Sequence, residues 1–104
     1  MEVRLSHVSW KSSEAYFSTR DIALLPVGST EQHGPHNPLG TDHLIAYALA
    51  LEAGRRTGVI VLPPIPFGVS VHHSHFPGTI WVRAEVFKEY VRDVILSLKR
   101  HGVG

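Results

Sequence analysis

The sequence contains no cysteine among its 104 residues. This absence excludes disulfide bonds, metal sites built on thiolates and a cysteine nucleophile. A cysteine-free chain is compatible with a reducing compartment, and we expect a cytoplasmic protein. Any metal site must therefore use imidazole and carboxylate donors.

A strong charge of one sign is missing as well. Ten Lys and Arg residues face nine Asp and Glu residues, so the formal net charge is +1. Because the charges nearly cancel, the chain has no broad electrostatic field that would attract nucleic-acid phosphates or anionic lipids. We expect no nucleic-acid partner.

Long apolar runs are also absent. The first ten residues mix Glu2, Arg4 and His7 with apolar residues, unlike the apolar stretch of a signal peptide. No later run is long enough to span a bilayer. We therefore expect no membrane partner.

The composition is that of an ordinary globular chain. Apolar residues make up 43% and charged residues 18%, and no block of like charges predicts disorder. A chain of 104 residues can bury one modest core but seldom two. We predict a single domain over residues 1–104.

The first half of the chain predicts a strand, a loop, a helix and a second strand. Residues 21–27 form an apolar run that stops at a Gly-Ser pair, as a strand buried on both faces would. Glycines and prolines make 28–40 a shaped loop. A helix from Asp42, with Thr41 as its cap, precedes a short strand at 59–62. This order predicts an α/β fold with a mostly parallel sheet and a right-handed crossover.

The second half predicts another loop and an amphipathic helix. Residues 66–78 are polar and glycine-bearing, and 79–82 are β-prone. Apolar residues recur at helical spacing over 86–98. Trp10 and Trp81 lie in apolar stretches, where an aromatic is more often a core residue than a substrate contact.

The first loop carries a group of candidate metal ligands. Glu31 and His33 are two residues apart in extended chain, so their side chains point the same way, and Asp42 follows nine residues later. Two carboxylates and an imidazole suit zinc or manganese. A lone Glu-x-His pair is more often a solvated surface pair, and Asp42 equally suits the first turn of a helix.

The residues around these candidates resemble a known family. Residues 25–42 read LPVGSTEQHGPHNPLGTD, which closely resembles the opening signature of the creatininase family. The resemblance implies that Glu31, His33 and Asp42 are metal ligands and that Asp42 bridges two ions. It also places His36 beside the ligands, where it would support a ligand carboxylate.

A second block strengthens the resemblance. Pro66 to Ser70 reads PFGVS and Phe76 to Thr79 reads FPGT, similar to two later segments that lie beside the family's active site. Ser70, His73 and His75 are therefore candidate substrate-loop residues. Members of the family differ in which of the two histidine positions they share, so His73 and His75 remain alternatives.

The resemblance implies a metal-dependent amidohydrolase with part of a three-layer αβα domain. Two divalent ions, zinc or manganese with iron as a further candidate, would activate a water that hydrolyses a cyclic or other non-peptide amide, such as a creatinine-like compound or a formamide. Relatives are oligomers, often hexamers, so we expect a homo-oligomer acting on a small-molecule amide.

The chain departs from the family pattern in one respect. The family's remaining ligands and its catalytic residues lie on segments that have no counterpart up to Gly104. We therefore expect residues 1–104 to form an incomplete domain, inactive alone. The explanations left open are a fragment, one half of a split enzyme whose complementary chain carries the missing ligands, or a degraded relative. The alternative function is a noncatalytic metal-binding or interaction module.

Overall fold

The computed structural model describes all residues from Met1 to Gly104. Its three α-helices are α1 (Trp10–Phe17), α2 (Thr41–Thr57) and α3 (Ala84–Arg100), and its two strands are β1 (Ala23–Leu24) and β2 (Ile60–Val61). Short 3-10 helices cover Leu5–His7 and Val71–His73. None of the helices combines the length and the apolar character needed to cross a lipid bilayer.

The sheet is parallel, as the sequence predicts. Ala23 pairs with Ile60 and Leu24 with Val61, so α2 lies in the crossover between two adjacent strands. Val61 also pairs in parallel with Arg4 of the amino-terminal segment. β2 is thus central, which explains why both of its residues are buried.

The strands are shorter than the apolar runs that predict them. Beyond β1 and β2 the pairing continues as a single parallel bridge between Val27 and Ile65. Between these points lie Pro26 and the pair Pro63 and Pro64. Because proline has no backbone N–H to donate, the ladder is interrupted there.

Helix α2 begins one residue earlier than predicted. Its cap is Gly40, and Thr41 donates its hydroxyl to Pro38 O instead of accepting from the helix. The prediction that Thr41 caps the helix is therefore wrong, since its side chain is committed to the preceding turn. The helix ends at Gly58, whose φ of 72° is the left-handed conformation that glycine adopts readily at such ends.

A tyrosine connects the first helix to the sheet. Ser9 caps α1 by accepting from Ser12 N, and Tyr16 on the same helix is buried. The Tyr16 hydroxyl donates to Ile22 O at 2.6 Å and accepts from Ile60 N at 3.2 Å. A buried tyrosine needs partners for its hydroxyl, and these two bonds satisfy it while fixing α1 against both strands.

The buried core is small and centres on β2. Both tryptophans lie outside it, Trp10 at 69% and Trp81 at 43% exposure, so the prediction that they are core residues is wrong. Trp10 is the first residue of α1, and its ring lies under the Lys11 ammonium, 4.7 Å from the ring centroid. The buried apolar residues are Val3, Tyr16, Val59, Ile60, Val61, Leu62 and Ile65.

Candidate metal centre

Two loops that follow neighbouring parallel strands meet at one edge of the sheet. The loop after β1 and the loop after β2 are joined by Thr30, whose hydroxyl donates to Pro66 O at 2.8 Å. The Thr30 carbonyl in turn accepts from Ile80 N at 3.0 Å. This edge, beyond the carboxyl ends of the strands, is where open α/β sheets usually bind ligands.

A close approach of backbone to backbone brings the first loop to helix α2. A Cβ on Gly28 would lie only 2.4 Å from both Cα and N of His43, so only glycine lets the chain pass here. The next residue, Ser29, is thereby placed beside the first turn of α2. Its hydroxyl donates to Asp42 Oδ2 at 2.6 Å.

Asp42 forms the first half of the site together with His33. His33 Nε2 lies 3.2 Å from Asp42 Oδ2, while Oδ1 accepts no hydrogen bond within the chain. The hydrogen bond from Ser29 lowers the pKa of Asp42 below its ordinary value, and His33 lowers it further. Asp42 is therefore held as a carboxylate, which is the form that binds metal.

Glu31 forms the second half, with partners from the loop after β2. Its side chain is 14% exposed, and its Oε2 lies 2.9 Å from His73 Nε2. The buried Ser70 donates its hydroxyl to Glu31 Oε1 at 3.2 Å. Glu31 also belongs to a cluster with His72 and His73 in which one ligand atom from each residue lies within 4.8 Å of the others.

The three sequence candidates are thus arranged as a pair and a separate carboxylate. His33 and Asp42 are in contact, whereas the ligand atoms of Glu31, His33 and Asp42 do not all lie within 4.8 Å of one another. One shared single-ion site is therefore not formed by these three alone. Two neighbouring sites, with a carboxylate in each, agree better with this arrangement.

The donor set fits a divalent metal. Two atoms bound to one tetrahedral zinc lie about 3.4 Å apart. The 3.2 Å between His33 Nε2 and Asp42 Oδ2 is close to that spacing. Carboxylate oxygen and imidazole nitrogen are ligands that zinc and manganese both accept.

The remaining candidate histidines differ in their surroundings. His73 faces Glu31, whereas His75 is exposed and packs against the Phe76 ring at 4.3 Å between centroids. Of the two alternatives, only His73 contacts a candidate ligand. His36 is exposed and makes no hydrogen bond to either carboxylate, so its supporting role stays a prediction.

Sequence reasoning missed Ser29, which contacts the candidate ligand Asp42, and Gln32, which contacts His73. Gln32 Nε2 lies 3.0 Å from His73 Nδ1. Ser29 could have been found, because Ser29, Glu31 and His33 are spaced two residues apart. In an extended chain, side chains at this spacing point the same way. Gln32 carries no such signal, since its partner is 41 residues away in the sequence.

These features define an α/β protein with carboxylate and imidazole donors on the loops that follow two adjacent parallel strands. The model of the Creatininase family, which is described as creatinine amidohydrolase, matches residues 6–104 of this chain. The chain therefore belongs to the creatininase family, and its fold is the α/β fold of that family.

Two relatives illustrate the similarity in sequence. The chain is 33% identical over 106 residues to a creatinine amidohydrolase from Pseudomonas putida. The alignment covers 96% of this chain and 41% of the relative. It is 42% identical over 81 residues to a mycofactocin precursor peptide peptidase from Mycolicibacterium smegmatis, covering 72% of this chain and 33% of the relative. The chain thus spans less than half the length of either relative.

Two solved structures show the same similarity in three dimensions. The structure named "Creatininase Mn" superposes with a TM-score of 0.90 at 34% identity, covering 99% of this chain and 42% of that one. A creatininase variant described as "Zn-Zn type" superposes with a TM-score of 0.89 at 34% identity, covering 98% of this chain and 42% of that one. Both names refer to divalent metals that the donor set described above also suits.

Proposed function

We propose that this chain supplies one part of the binuclear metal site of a creatininase-family amidohydrolase. The observation that carries the proposal is the contact of His33 with Asp42 at the sheet edge, beside a second carboxylate, Glu31. The match to the family over residues 6–104 supports the same reading. In this proposal Glu31 would hold one ion, His33 would hold the other and the Asp42 carboxylate would be shared by both.

Bound divalent ions would lower the pKa of a water and polarise the amide oxygen of a substrate. The chain's own residues prepare that chemistry. Ser29 holds one oxygen of Asp42 and leaves the other unbonded, so the carboxylate can serve two ions. Ser70 and His73 hold Glu31 in place from the opposite loop.

The proposed ligand set is incomplete for two ions. Three ligands with one shared leave each ion with two protein donors, whereas catalytic zinc sites have three. We propose that residues 1–104 form an incomplete domain and that the missing ligands come from polypeptide outside these residues, either in the same protein or in a complementary chain. The chain's extended shape, with a radius of gyration of 15.4 Å against about 13 Å for a compact domain of this length, supports the proposal.

The proposed substrate is a small amide that is cyclic or otherwise non-peptide, such as a creatinine-like ring or a formamide. The name of the Pseudomonas putida relative supports this class, and the name of the Mycolicibacterium smegmatis relative makes a peptide the competing one. We further propose a cytoplasmic location, with which a cysteine-free chain is compatible. We also propose a homo-oligomer, which the exposed apolar residues of α3 support.

A noncatalytic metal-binding or interaction module is the second candidate function. One observation favours it: α3 contributes no buried residue, and Ile95 on this helix is 52% exposed. An apolar helix surface of this kind is typical of a contact with another polypeptide. Such a module would bind metal or a partner without hydrolysing an amide.

Titration calorimetry with Zn²⁺ and Mn²⁺ on the purified chain tests the metal site. Asp42→Asn should weaken binding by more than the roughly 10- to 100-fold that loss of a supporting residue costs. The matched control Asp93→Asn, on the exposed surface of α3, should leave binding unchanged. Equal binding by both variants would refute the proposed ligand role.

A complementation assay tests the catalytic part. The chain is mixed with a polypeptide carrying the remainder of a creatininase-family domain, and hydrolysis of creatinine, a formamide and a short peptide is followed with added metal. Hydrolysis by the mixture, and by neither component alone, is the expected result. Metal binding without hydrolysis in any mixture would favour the noncatalytic module.

A further inference from the structure

Both oxygens of Glu31 have a polar neighbour on the second loop. Ser70 Oγ donates to Oε1 at 3.2 Å and His73 Nε2 lies 2.9 Å from Oε2. Ser70 is 1% exposed, so its position is fixed by packing. An ionised carboxylate only accepts hydrogen bonds, so the contact with His73 is favourable when Nε2 carries the proton.

Gln32 determines where the proton of His73 lies. The backbone N–H of Gly34 donates to Gln32 Oε1 at 3.0 Å, which fixes the orientation of the side-chain amide. The amide nitrogen then lies 3.0 Å from His73 Nδ1. Because an amide NH₂ can only donate, Nδ1 must accept, and the ring proton is left on Nε2.

We propose that Gln32 fixes His73 in the Nε2–H tautomer, and that His73 is thereby a positioning residue for Glu31 and not itself a metal ligand. The order of contacts is Gly34 N–H to Gln32, Gln32 to His73, and His73 to Glu31. The proposal rests on the proposed function, because it takes Glu31 as a ligand.

The same residues offer a competing arrangement that the tautomer argues against. Glu31, His72 and His73 are close enough for one ion, with ligand atoms within 4.8 Å of one another. In the Nε2–H tautomer, however, Nε2 has no free lone pair, and the Nδ1 lone pair accepts from Gln32. Coordination by His73 would require the Gln32 amide to turn and to lose its bond from Gly34.

The geometry leaves Glu31 able to bind an ion while its supports stay in place. A carboxylate has about four lone-pair directions; Ser70 occupies one on Oε1, and His73 Nε2 lies close to Oε2. The remaining directions are available to a metal. Removing such a support typically costs about 10- to 100-fold in metal affinity.

The tautomer is measured first, in the metal-free chain labelled with ¹⁵N, by long-range ¹H–¹⁵N correlation of the imidazole nitrogens. A protonated Nε2 and an unprotonated Nδ1 in His73 are expected. A proton on Nδ1 would overturn the proposal. This measurement involves no metal, so its outcome is independent of whether the proposed function holds.

Metal affinity then separates positioning from coordination. His73→Gln keeps an N–H donor near the position of Nε2 and should bind Mn²⁺ within about threefold of the unaltered chain, whereas His73→Ala should lose about 10- to 100-fold. His72→Ala should leave the affinity unchanged, as should the control His75→Ala in the same loop. Equal large losses for His73→Gln and His73→Ala, or a large loss for His72→Ala, would show coordination and overturn the proposal. If the unaltered chain binds no Mn²⁺, it is the proposed function that fails.

Discussion

Single serine hydroxyl groups contact both candidate ligand carboxylates in this chain. Ser29 and Ser70 each donate to one carboxylate, and neither belongs to the set of donors that the sequence indicates. Ser29 could be overlooked because a serine hydroxyl is not itself a usual ligand for zinc or manganese, whereas the family resemblance indicates Ser70 as a residue of the second loop. Their effect is to hold and orient the carboxylates, as supporting residues in metal sites commonly do.

Ser29→Ala is expected to raise the pKa of Asp42 toward its ordinary value, since the hydrogen bond from Ser29 is the largest cause of its depression. A depressed carboxyl pKa stabilises the fold above the unfolded-state pKa, and this contribution is lost as the pH falls through the folded-state value. The variant should therefore lose stability at neutral pH and little at strongly acidic pH.

NMR titration of the Asp42 carboxyl in the metal-free chain checks the expectation for Ser29→Ala. Urea unfolding of both proteins at neutral and at strongly acidic pH gives their free energies of unfolding. Ser74→Ala, an exposed serine in the second loop, serves as the control. An Asp42 pKa that is the same in Ser29→Ala as in the unaltered chain would contradict the assignment of the cause.

A second carboxyl, far from the site, should titrate at unusually low pH. Arg4 donates to both oxygens of Glu2, at 3.0 and 2.7 Å, and this hydrogen bonding lowers the pKa of Glu2 from 4.5 to about 2. Any stability from this pair is present above the unfolded pKa and is lost as the pH falls toward 2.

Arg4→Gln should return the pKa of Glu2 toward 4.5, as measured by NMR titration of its side-chain carbon. Lys11→Gln removes a cation elsewhere on the surface and should leave the titration unchanged. Because both partners are solvent-exposed, we expect little change in the free energy of unfolding at neutral pH. A Glu2 that titrates near 4.5 in the unaltered chain would show that the pair does not persist in solution.

At the scale of elements, the crossover unit depends on one close contact between helix and strand. A Cβ on Gly54 would lie 2.7 Å from Val59 O and 2.7 Å from Val61 Cγ2. Gly54 is buried on the inner face of α2, directly against β2. The helix therefore packs on the sheet at a distance that no larger residue permits.

Gly54→Ala tests this contact, because helix propensity and packing predict opposite signs. Propensity alone would stabilise α2 by about 1 kcal/mol. Overpacking against backbone costs about 1–3 kcal/mol, so we expect a net loss of stability. Ala53→Gly, at the exposed neighbouring position, gives the propensity effect by itself. Urea unfolding compares the three proteins, and a more stable Gly54→Ala would refute the packing argument.

The sequence predicts most of the elements and the pairing of the two strands, but not the first helix. The order of β1, α2, β2 and α3 follows from apolar runs and helical spacing, and the parallel pairing of β1 and β2 is confirmed. α1 is missed because its eight residues carry little apolar periodicity, although Ser9 is a recognisable cap. The handedness of the crossover stays a prediction.

Part of the site was also within reach of the sequence. The motif brings Glu31, His33 and Asp42 into one region, and the contact of His33 with Asp42 follows from the loop that returns to α2. The pairing of Glu31 with His73 could not be read, because it depends on how two loops meet in space. Contacts between two loops leave no regular spacing pattern in the sequence from which they could be predicted.

At the scale of the whole molecule, the exposed apolar surface of α3 governs how the chain behaves in solution. None of its residues is buried, and Ile95 and Leu96 are about half exposed. We expect the chain to self-associate as its concentration rises, because these apolar side chains remain about half exposed to solvent.

Ile95→Lys should weaken the association, whereas Ser97→Lys adds the same charge at an exposed position on the same helix and serves as the control. Light scattering coupled to size-exclusion chromatography gives the mass across a range of concentrations. If both variants associate as strongly as the unaltered chain, the contact surface does not include the Ile95 side of α3.

The long sequence separation between the two halves of the site has a consequence for how the protein is made. Ser70 and Glu31 are 39 residues apart, and Gln32 and His73 are 41 apart. Closing loops of this length costs entropy before any contact repays it, so parallel pairings across them form slowly. Glu31 would therefore meet its partners only after the crossover is closed. The His33–Asp42 half, whose residues are nine apart, needs no such closure, so the two halves of the proposed metal site would form at different stages of folding.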